Sequence, residues 1–215
     1  LGSNIFITTV TAMGTTTAAA AALAANGVAV EADLALTTNK GAVTGISYAA
    51  GADAKTIAAA INTAATNIGI TATATNNATL GNLGSAGTVS MTLNGSSVSA
   101  VVTDKSDLSS LAASINGLQS TTGVTASFAT PGNKSVITLS TTDGRDITVV
   151  DFNNSGATKT ADIVAGTTTT TLTGGAATDS TTITGTIELA SSAGQITAGN
   201  ANADVFGTSV SAFNS

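Results

Sequence analysis

One helix-then-strand pattern occurs twice in this chain. This repeat constrains the possible folds of the chain more than any other feature of the sequence. The stretch "DAKTIAAAIN" covers residues 53–62, and "DLSSLAASIN" covers residues 107–116. Each continues into a similar tail, so that the two copies align over residues 53–75 and 107–129. Two copies of one local plan predict two similar modules.

The first part of each copy has the pattern of a short amphipathic helix. We expect Asp53 and Asp107 to cap the two helices, because a short carboxylate accepts hydrogen bonds from free N–H groups of the first turn. We expect Gly69 and Gly123 to end them, since glycine is the usual residue just past a helix. The predicted apolar faces are Ile57, Ile61, Ala64, Ala65 and Ile68 in the first helix, and Leu108, Leu111, Ala112, Ile115 and Leu118 in the second.

The second part of each copy alternates between apolar and polar residues, which is typical of a half-buried strand. The predicted inward residues are Ile70, Ala72 and Ala74 in the first copy, and Val124, Ala126 and Phe128 in the second. The predicted fold class is therefore α+β and β-rich overall: small, mainly antiparallel sheets, each packed with one short helix, in two similar modules.

Turn signals between alternating runs predict further strands. Asn94-Gly95 and Asp143-Gly144 each predict a hairpin, and Asn26-Gly27 suggests a third, although its Ala-rich first arm could instead be helical. Residues 181–189 are predicted to form one strand.

Composition narrows the possible partners. Only 8% of the residues are charged, against about 25% in ordinary domains, and Thr, a good strand residue, is abundant. The six basic residues are scattered singly, so we predict no nucleic-acid partner. The longest apolar run, "AAAAALAA", is too short to span a bilayer, so we predict no membrane partner. The opening "LGSNIF" indicates the interior of a longer protein.

Chemistry-bearing residues are scarce. The chain has no His and no Cys, which excludes Ser-His-Asp and Cys-His catalysis and the common zinc sites. Lys105 beside Ser106 is interpreted as the solvated start of a helix rather than a nucleophile with its base. Asp143, Asp146 and Asp151 suggest calcium, but their spacing matches no EF-hand loop. We predict no enzyme, no cofactor, and no catalytic, cofactor-binding or metal-binding residues.

The repeat resembles a known family. An aliphatic-Ala-Ala-x-Ile-Asn helix followed by Gly-(Ile/Val)-Thr-Ala resembles the repeat in the central region of bacterial flagellins. The match covers residues 57–62 with 69–72, and 111–116 with 123–126. The opening "LGSNIF" and the closing "GTIELASSAGQITAGNANADVFG" are similar to the sequences that flank that region, so the resemblance spans nearly the whole chain.

The resemblance implies the outer, surface-exposed domains of a flagellin subunit, usually called D2 and D3. It implies a structural role in motility, without catalysis, in the extracellular filament of the bacterial flagellum. The implied partners are other flagellin subunits, which form a homopolymer through helical parts absent here. O-linked glycans on Ser and Thr are also implied.

The glycine-rich stretch "GNLGSAG", with Gly81, Gly84 and Gly87, has the wrong spacing for a phosphate loop and is interpreted as a linker. We therefore predict a proximal, D2-like domain of residues 1–87 plus 153–215, and a distal, D3-like domain of residues 88–152. A single elongated body holding both repeats is the alternative arrangement.

Other functions fit parts of the sequence. The same repeat occurs in hook-associated proteins, so an outer domain of such a protein is one alternative. An extracellular adhesin or glycan-binding module is another, although the chain has no Trp and its one Tyr, Tyr48, is expected to pack beside the first helix. A carboxylate-based glycosidase would need two acids facing each other in a cleft.

Overall fold

The computed structural model describes residues 13–206 in full and, beyond them, the backbone of two short strands near the chain ends. The strands are β1 (Phe6–Thr9), β2 (Glu31–Thr38), β3 (Gly41–Tyr48), β4 (Ile70–Gly81), β5 (Gly87–Leu93), β6 (Ser96–Val102), β7 (Thr125–Phe128), β8 (Val136–Thr141), β9 (Ile147–Asn154), β10 (Thr160–Ala165), β11 (Thr168–Thr173), β12 (Thr181–Ile183), β13 (Thr186–Ser191), β14 (Thr197–Gly199) and β15 (Phe213–Asn214). The helices are α1 (Ala54–Ala65), α2 (Ser109–Gly117), α3 (Gln119–Thr122) and α4 (Ala203–Phe206), and a 3₁₀ turn, Thr66–Ile68, extends α1.

The predicted fold class is confirmed. Strands make up 45% of the chain and helices 16%, and the sheets are antiparallel. The largest sheet has the order β11-β10-β4-β13-β1-β15, with β8 also paired to β4 and β7 paired to β8. A second sheet has the order β12-β9-β5-β6, and a third the order β14-β2-β3. No helix in the described part of the chain is long and apolar enough to cross a membrane.

Strand β4 pairs with a different strand along each half of its length. Its first half pairs with β13 from Ile70 to Thr75, and its second half pairs with β8 from Asn76 to Gly81. A strand of 12 residues extends about 40 Å. One continuous strand therefore serves both repeats.

Apolar side chains form two separate clusters along this strand. The first contains α1 with β2, β3, the first half of β4 and β13, and the second contains α2 with the second half of β4 and the strands β5 to β12. Ile163 and Leu172, which the predicted boundaries place in the proximal domain, belong to the second cluster together with α2. The domain boundaries given above stay a prediction, because a shared apolar cluster is not by itself a domain.

The amphipathic pattern is confirmed in both helices. Ile57 and Ile61 of α1, and Leu111 and Ile115 of α2, are fully buried. In β4 the predicted inward residues are buried, as are the first two in the second copy, Val124 and Ala126. The prediction for Phe128 is wrong, since this side chain is 36% exposed where β7 ends.

One predicted hairpin is confirmed and one is wrong. Asn94 and Gly95 join β5 to β6, and both have positive φ angles, 44° and 81°, as a tight two-residue hairpin turn requires. The residues around Asp143-Gly144 instead connect two different sheets, because β8 pairs with β4 and β7 while β9 pairs with β5 and β12. Gly144 lies directly against Ala74 at this crossing, with no room for a side chain.

The suggested hairpin at Asn26-Gly27 is also wrong, and so is the helical alternative. Residues 21–30 form neither strand nor helix. The Asn26 side chain instead donates to the backbone carbonyls of Gly51 and Ala52, which ties the segment to the start of α1.

The strand predicted over residues 181–189 is two strands in two sheets. β12 pairs with β9, and β13 pairs with β4. The break falls at Gly185, where a Cβ atom would lie 2.7 Å from the carbonyl oxygens of Gly144 and Thr75. The close approach of three backbone segments explains why the chain changes sheet at this glycine.

Candidate functional site

The two repeats share a pair of hydrogen bonds between helix and strand. In the first repeat, Asn62 Nδ2 donates to the Ala72 carbonyl at 2.8 Å and Asn62 Oδ1 accepts from the Ala72 N–H at 2.7 Å. In the second, Asn116 Nδ2 donates to the Ala126 carbonyl and Asn116 Oδ1 accepts from the Ala126 N–H, both at 2.8 Å. We call each set the Asn–Ala clamp.

The clamp works because an asparagine amide has the same donor and acceptor as a peptide group. The N–H and C=O of one strand residue point to the same side of the strand. Ala72 lies opposite Leu189 in the β4–β13 pair, and Ala126 lies opposite Leu139 in the β7–β8 pair. Since both polar groups of each alanine face the helix, the asparagine amide takes the place of a neighbouring strand.

An aspartate accepts a hydrogen bond from the first turn of each helix, but only the first aspartate is the N-cap. Asp53 is the N-cap of α1, and its Oδ1 accepts from the Thr56 N–H at 2.8 Å. Asp107 Oδ1 accepts from the Ser109 N–H at 2.9 Å, although the N-cap position belongs to Leu108. The predicted cap is confirmed at Asp53 and wrong at Asp107, because α2 starts one residue later than the repeat alignment predicts and Asp107 precedes the N-cap.

Gly69 and Gly123 each end the helical segment of their repeat, although α1 itself ends at Ala65, before the 3₁₀ turn, and α2 ends at Gly117, before α3. Gly69 has φ = 82° and donates its N–H to the Thr66 carbonyl. Gly123 has φ = 72° and donates to the Gln119 carbonyl. Only glycine adopts this left-handed conformation readily, so each glycine turns the chain from helix into the strand that carries the clamped alanine.

Helix α2 also covers the edge of a sheet. Ser110 Oγ donates to the Val101 carbonyl at 2.7 Å, and Ser114 Oγ donates to the Ser99 carbonyl at 3.0 Å. These carbonyls lie on β6, the last strand of its sheet. Covering them limits edge-to-edge pairing with another chain.

Residues 143–146, which connect β8 to β9, bind residues at and near the start of α1. Asp143 accepts hydrogen bonds from Arg145 Nη2 at 2.6 Å and from Lys55 Nζ at 2.9 Å. The hydrogen bonds from Arg145, with those from Lys55, outweigh burial and hold the pKa of Asp143 well below its usual range. The Arg145 guanidinium lies over Gly123, where a Cβ atom would approach it to 2.8 Å.

Asp146 occupies a different environment from Asp143. Its Oδ2 accepts from Asn26 Nδ2 at 2.7 Å, while its Oδ1 is buried without a hydrogen-bond partner. Burial raises the pKa of Asp146 to about 6; the nearby charge of Asp53 adds to this rise, and the hydrogen bond from Asn26 opposes it. This carboxyl therefore carries a proton in mildly acid solution.

The three acids that suggest calcium do not meet. Asp143 pairs with cations and Asp146 with Asn26, while Asp151 is an exposed residue of β9 with φ = 53°. Within residues 13–206, no three His, Cys, Asp or Glu side chains are placed to share a metal ion.

The Lys105–Ser106 pair lies at the exposed start of the second repeat's helix. Ser106 Oγ donates to Asp104 Oδ1 at 2.6 Å. A cleft of about 300 Å³ beside it is lined in part by Asp104 and Asp107. Hydrogen bonds from Ser106 lower the pKa of Asp104, and hydrogen bonds from Ser109 lower the pKa of Asp107. A general acid in a glycosidase needs a raised pKa instead.

Tyr48 packs in the first apolar cluster, which also contains α1, as expected. Its hydroxyl is buried, and burial, with the charges of Glu31 and Asp204, raises the pKa of the phenol well above its usual range.

The interpretation of Gly84 as part of a linker fits the structure poorly. A Cβ atom there would lie 2.5 Å from the Thr158 side chain.

No protein-family model matches this chain, and no curated protein matches its sequence.

The sequence indicated the clamp residues but not the clamp. Asn62 and Asn116 occupy equivalent positions in the repeat, and so do Ala72 and Ala126. This equivalence is the sequence pattern that marks the four residues. The pairing of Asn26 with Asp146 spans 120 residues. Nothing in the sequence pattern indicated it.

Proposed function

We propose that this chain forms the outer, surface-exposed domains of a bacterial flagellin subunit and has a structural role in an extracellular filament. The observation that carries the proposal is the Asn–Ala clamp. The asparagine and the alanine that give the sequence its resemblance to flagellins are bonded to each other in both copies. A motif whose residues hold a helix against a strand serves to build a shape.

The positions of the two end strands support the proposal. β1 pairs antiparallel with both β13 and β15, and Phe6 lies opposite Asn214. The chain therefore enters and leaves the folded part at neighbouring strands. This arrangement suits a module set between two segments of a longer polymer-forming chain.

The outward residues also fit a solvent-facing structural surface. Thr71, Thr73 and Thr75 are exposed on β4, and Ser97 and Ser99 are exposed on β6. With only 18 charged residues in 215, subunits at high local density repel each other weakly. In this proposal the partners are further flagellin subunits, and exposed Ser and Thr hydroxyls are the acceptors for O-linked glycans.

Electron microscopy of the full-length parent protein tests the proposal. The expected result is long filaments on which antibodies raised against residues 13–206 bind along the whole length. Labelling confined to a filament junction or tip would instead indicate a hook-associated protein. A soluble monomer that binds a defined glycan on an array would support the adhesin alternative and contradict the proposal.

A further inference from the structure

The chain contains three Asn-Gly pairs, Asn26-Gly27, Asn94-Gly95 and Asn116-Gly117. Asn116-Gly117 lies within α2, whereas the first two lie outside helices and stand in contrasting environments. In such a pair the glycine nitrogen can attack the asparagine Cγ and close a five-membered succinimide ring. Glycine permits this more readily than other residues because it has no Cβ to hinder the rotation. A folded structure can slow or promote the reaction, depending on what contacts the amide.

The Asn26 amide is held by groups suited to the reaction. Its Oδ1 accepts from the Val28 N–H at 3.0 Å, and its Nδ2 donates to Asp146 Oδ2 at 2.7 Å. The same Nδ2 also donates to the carbonyls of Gly51 at 3.2 Å and Ala52 at 3.1 Å, so the carboxyl is the one partner that can carry a proton. Gly27 is exposed, and nothing lies within 4 Å of the place where a Cβ would be. The acyl oxygen has a hydrogen-bond donor, the leaving nitrogen has an adjacent acid, and the attacking residue is unhindered.

From this geometry we propose that Asn26 is a site of self-catalysed succinimide formation and deamidation, in which the Asp146 carboxyl acts as general acid. The proposal concerns a chemical modification of the chain itself. It does not depend on the flagellin assignment.

The reaction balances without an external oxidant or cofactor. The Gly27 N–H loses its proton to water, and its nitrogen forms a bond to Asn26 Cγ. The C=O electron pair moves onto Oδ1, where the Val28 N–H stabilises the negative charge. The oxyanion pair then re-forms the C=O bond as the Cγ–Nδ2 bond breaks, Nδ2 takes a proton from Asp146, and ammonia leaves. Asp146 recovers its proton from water. Water opens the ring to give aspartate or isoaspartate at position 26.

Charged groups around Asp146 favour its acid form. Asp53, at the start of α1, repels a second negative charge. Arg145 and Lys55 are the neighbouring cations, and both bind Asp143 instead. Because the pKa of Asp146 is about 6, a proton is available to the leaving group near that pH and is lost as the pH rises.

Asn94 provides an internal control. Its Oδ1 accepts from the Thr148 N–H at 2.7 Å, so its acyl oxygen is also polarised. Its Nδ2 donates to the backbone carbonyls of Thr122 and Asp146, as Asn26 Nδ2 does to those of Gly51 and Ala52, and such carbonyls have no proton to give. Asn26 and Asn94 therefore differ in the additional carboxyl group, Asp146 Oδ2, that only the Asn26 amide contacts.

The experiment incubates the folded protein between pH 5 and pH 8 and measures deamidation at both sites by peptide mass spectrometry. The same chain in denaturing urea supplies the reference rates. For each site we divide the deamidation rate in the folded protein by the rate in urea. We expect this quotient to be about tenfold larger at Asn26 than at Asn94. We expect this ratio to be largest near pH 6 and to fall toward pH 8.

The Asp146→Asn variant separates the proposed acid from other effects, with circular dichroism to check that it folds. It should lower the rate at Asn26 about tenfold and leave the rate at Asn94 unchanged. Equal rates at the two sites, or a ratio that depends on neither pH nor Asp146, would overturn the proposal.

Discussion

The Asn116 side chain and the Ala126 peptide form a closed pair of hydrogen bonds, with both N···O distances 2.8 Å, across ten residues of chain. Asn62 and Ala72 repeat the relationship at the same spacing. Each asparagine stands on the last part of a helix, and each alanine is an inward residue of the strand that follows. The clamp thereby fixes the angle at which helix and strand meet, and it covers two polar groups on the strand edge.

Removing a clamp should cost more than an ordinary surface mutation. We expect Asn116→Ala to lower the free energy of unfolding by about 2 kcal/mol, because two hydrogen bonds are lost and the Ala126 N–H and C=O lose their partners. Asn62→Ala should behave alike. Asn77→Ala, at an exposed position of β4, is the matched control and should change stability by less than about 0.5 kcal/mol. Urea denaturation measures all three, and equal effects at Asn77 and Asn116 would contradict the role of the clamp.

The raised pKa of Asp146 predicts that stability falls as the pH rises. The neutral carboxyl suits the buried site, so its contribution is fully present below the usual aspartate pKa of about 4 and is lost as the pH rises through about 6. Asp146→Asn keeps an oxygen for Asn26 and carries no charge. We expect this variant to be more stable than the parent at pH 7 by about 1–2 kcal/mol, allowing for partial solvent screening. Thermal unfolding at pH 4 and pH 7 measures the difference, and a variant less stable at pH 7 would refute the prediction.

The close contact at Gly144 can be separated from its backbone conformation. Gly144 has φ = 76°, and a Cβ would lie 2.3 Å from the Ala74 Cβ. Gly132 has φ = 82°, and nothing lies within 4 Å of the position that its Cβ would occupy. Gly132→Ala should cost about 1 kcal/mol for the left-handed conformation alone. Gly144→Ala should cost about 1–3 kcal/mol more, because the new Cβ would force the backbone at Ala74 away from residue 144. Equal losses at the two glycines would show that the crossing is loosely packed.

The two apolar clusters predict separate responses to core mutation. Ile61→Asp forces an unpaired charge into the first cluster, and Ile115→Asp does the same in the second. We expect each change to raise amide hydrogen exchange mainly in its own cluster. Ala59→Asp, on the exposed face of α1, is the control and should leave exchange unchanged. Loss of protection in both clusters from either mutation would indicate one cooperative unit and argue against two domains.

Local sequence patterns predicted the parts of the fold that depend on nearby residues. The cap at Asp53, the left-handed glycines at 69 and 123 and the hairpin at Asn94-Gly95 are all decided within about four residues. The same pattern misplaced the start of α2 by one residue at Asp107. The buried faces of the helices followed from periodicity for the same reason. A clamp joins a helix to a strand, so the repeat could indicate its residues but not their bond.

The wrong hairpin and strand predictions concern contacts between distant segments. The alternating runs around Asp143-Gly144 have the pattern of a hairpin, yet the two strands pair with other strands in different sheets. Residues 181–189 divide at Gly185 because Gly144 and Thr75 approach it from far along the chain. Alternation shows which face of a strand is buried, and it does not show which strand lies beside it.

Labelling of single cysteines on intact filaments tests the central claim most directly, because these 215 residues contain no cysteine. Ser97→Cys places a thiol at an exposed position of β6, and Val98→Cys places one at a buried position next to it. If this chain forms the outside of a flagellar filament, a maleimide dye added to living cells will label Ser97→Cys filaments along their whole length and leave Val98→Cys filaments dark. Filaments that stay dark with Ser97→Cys, or dye found only on the cell body, would contradict the account.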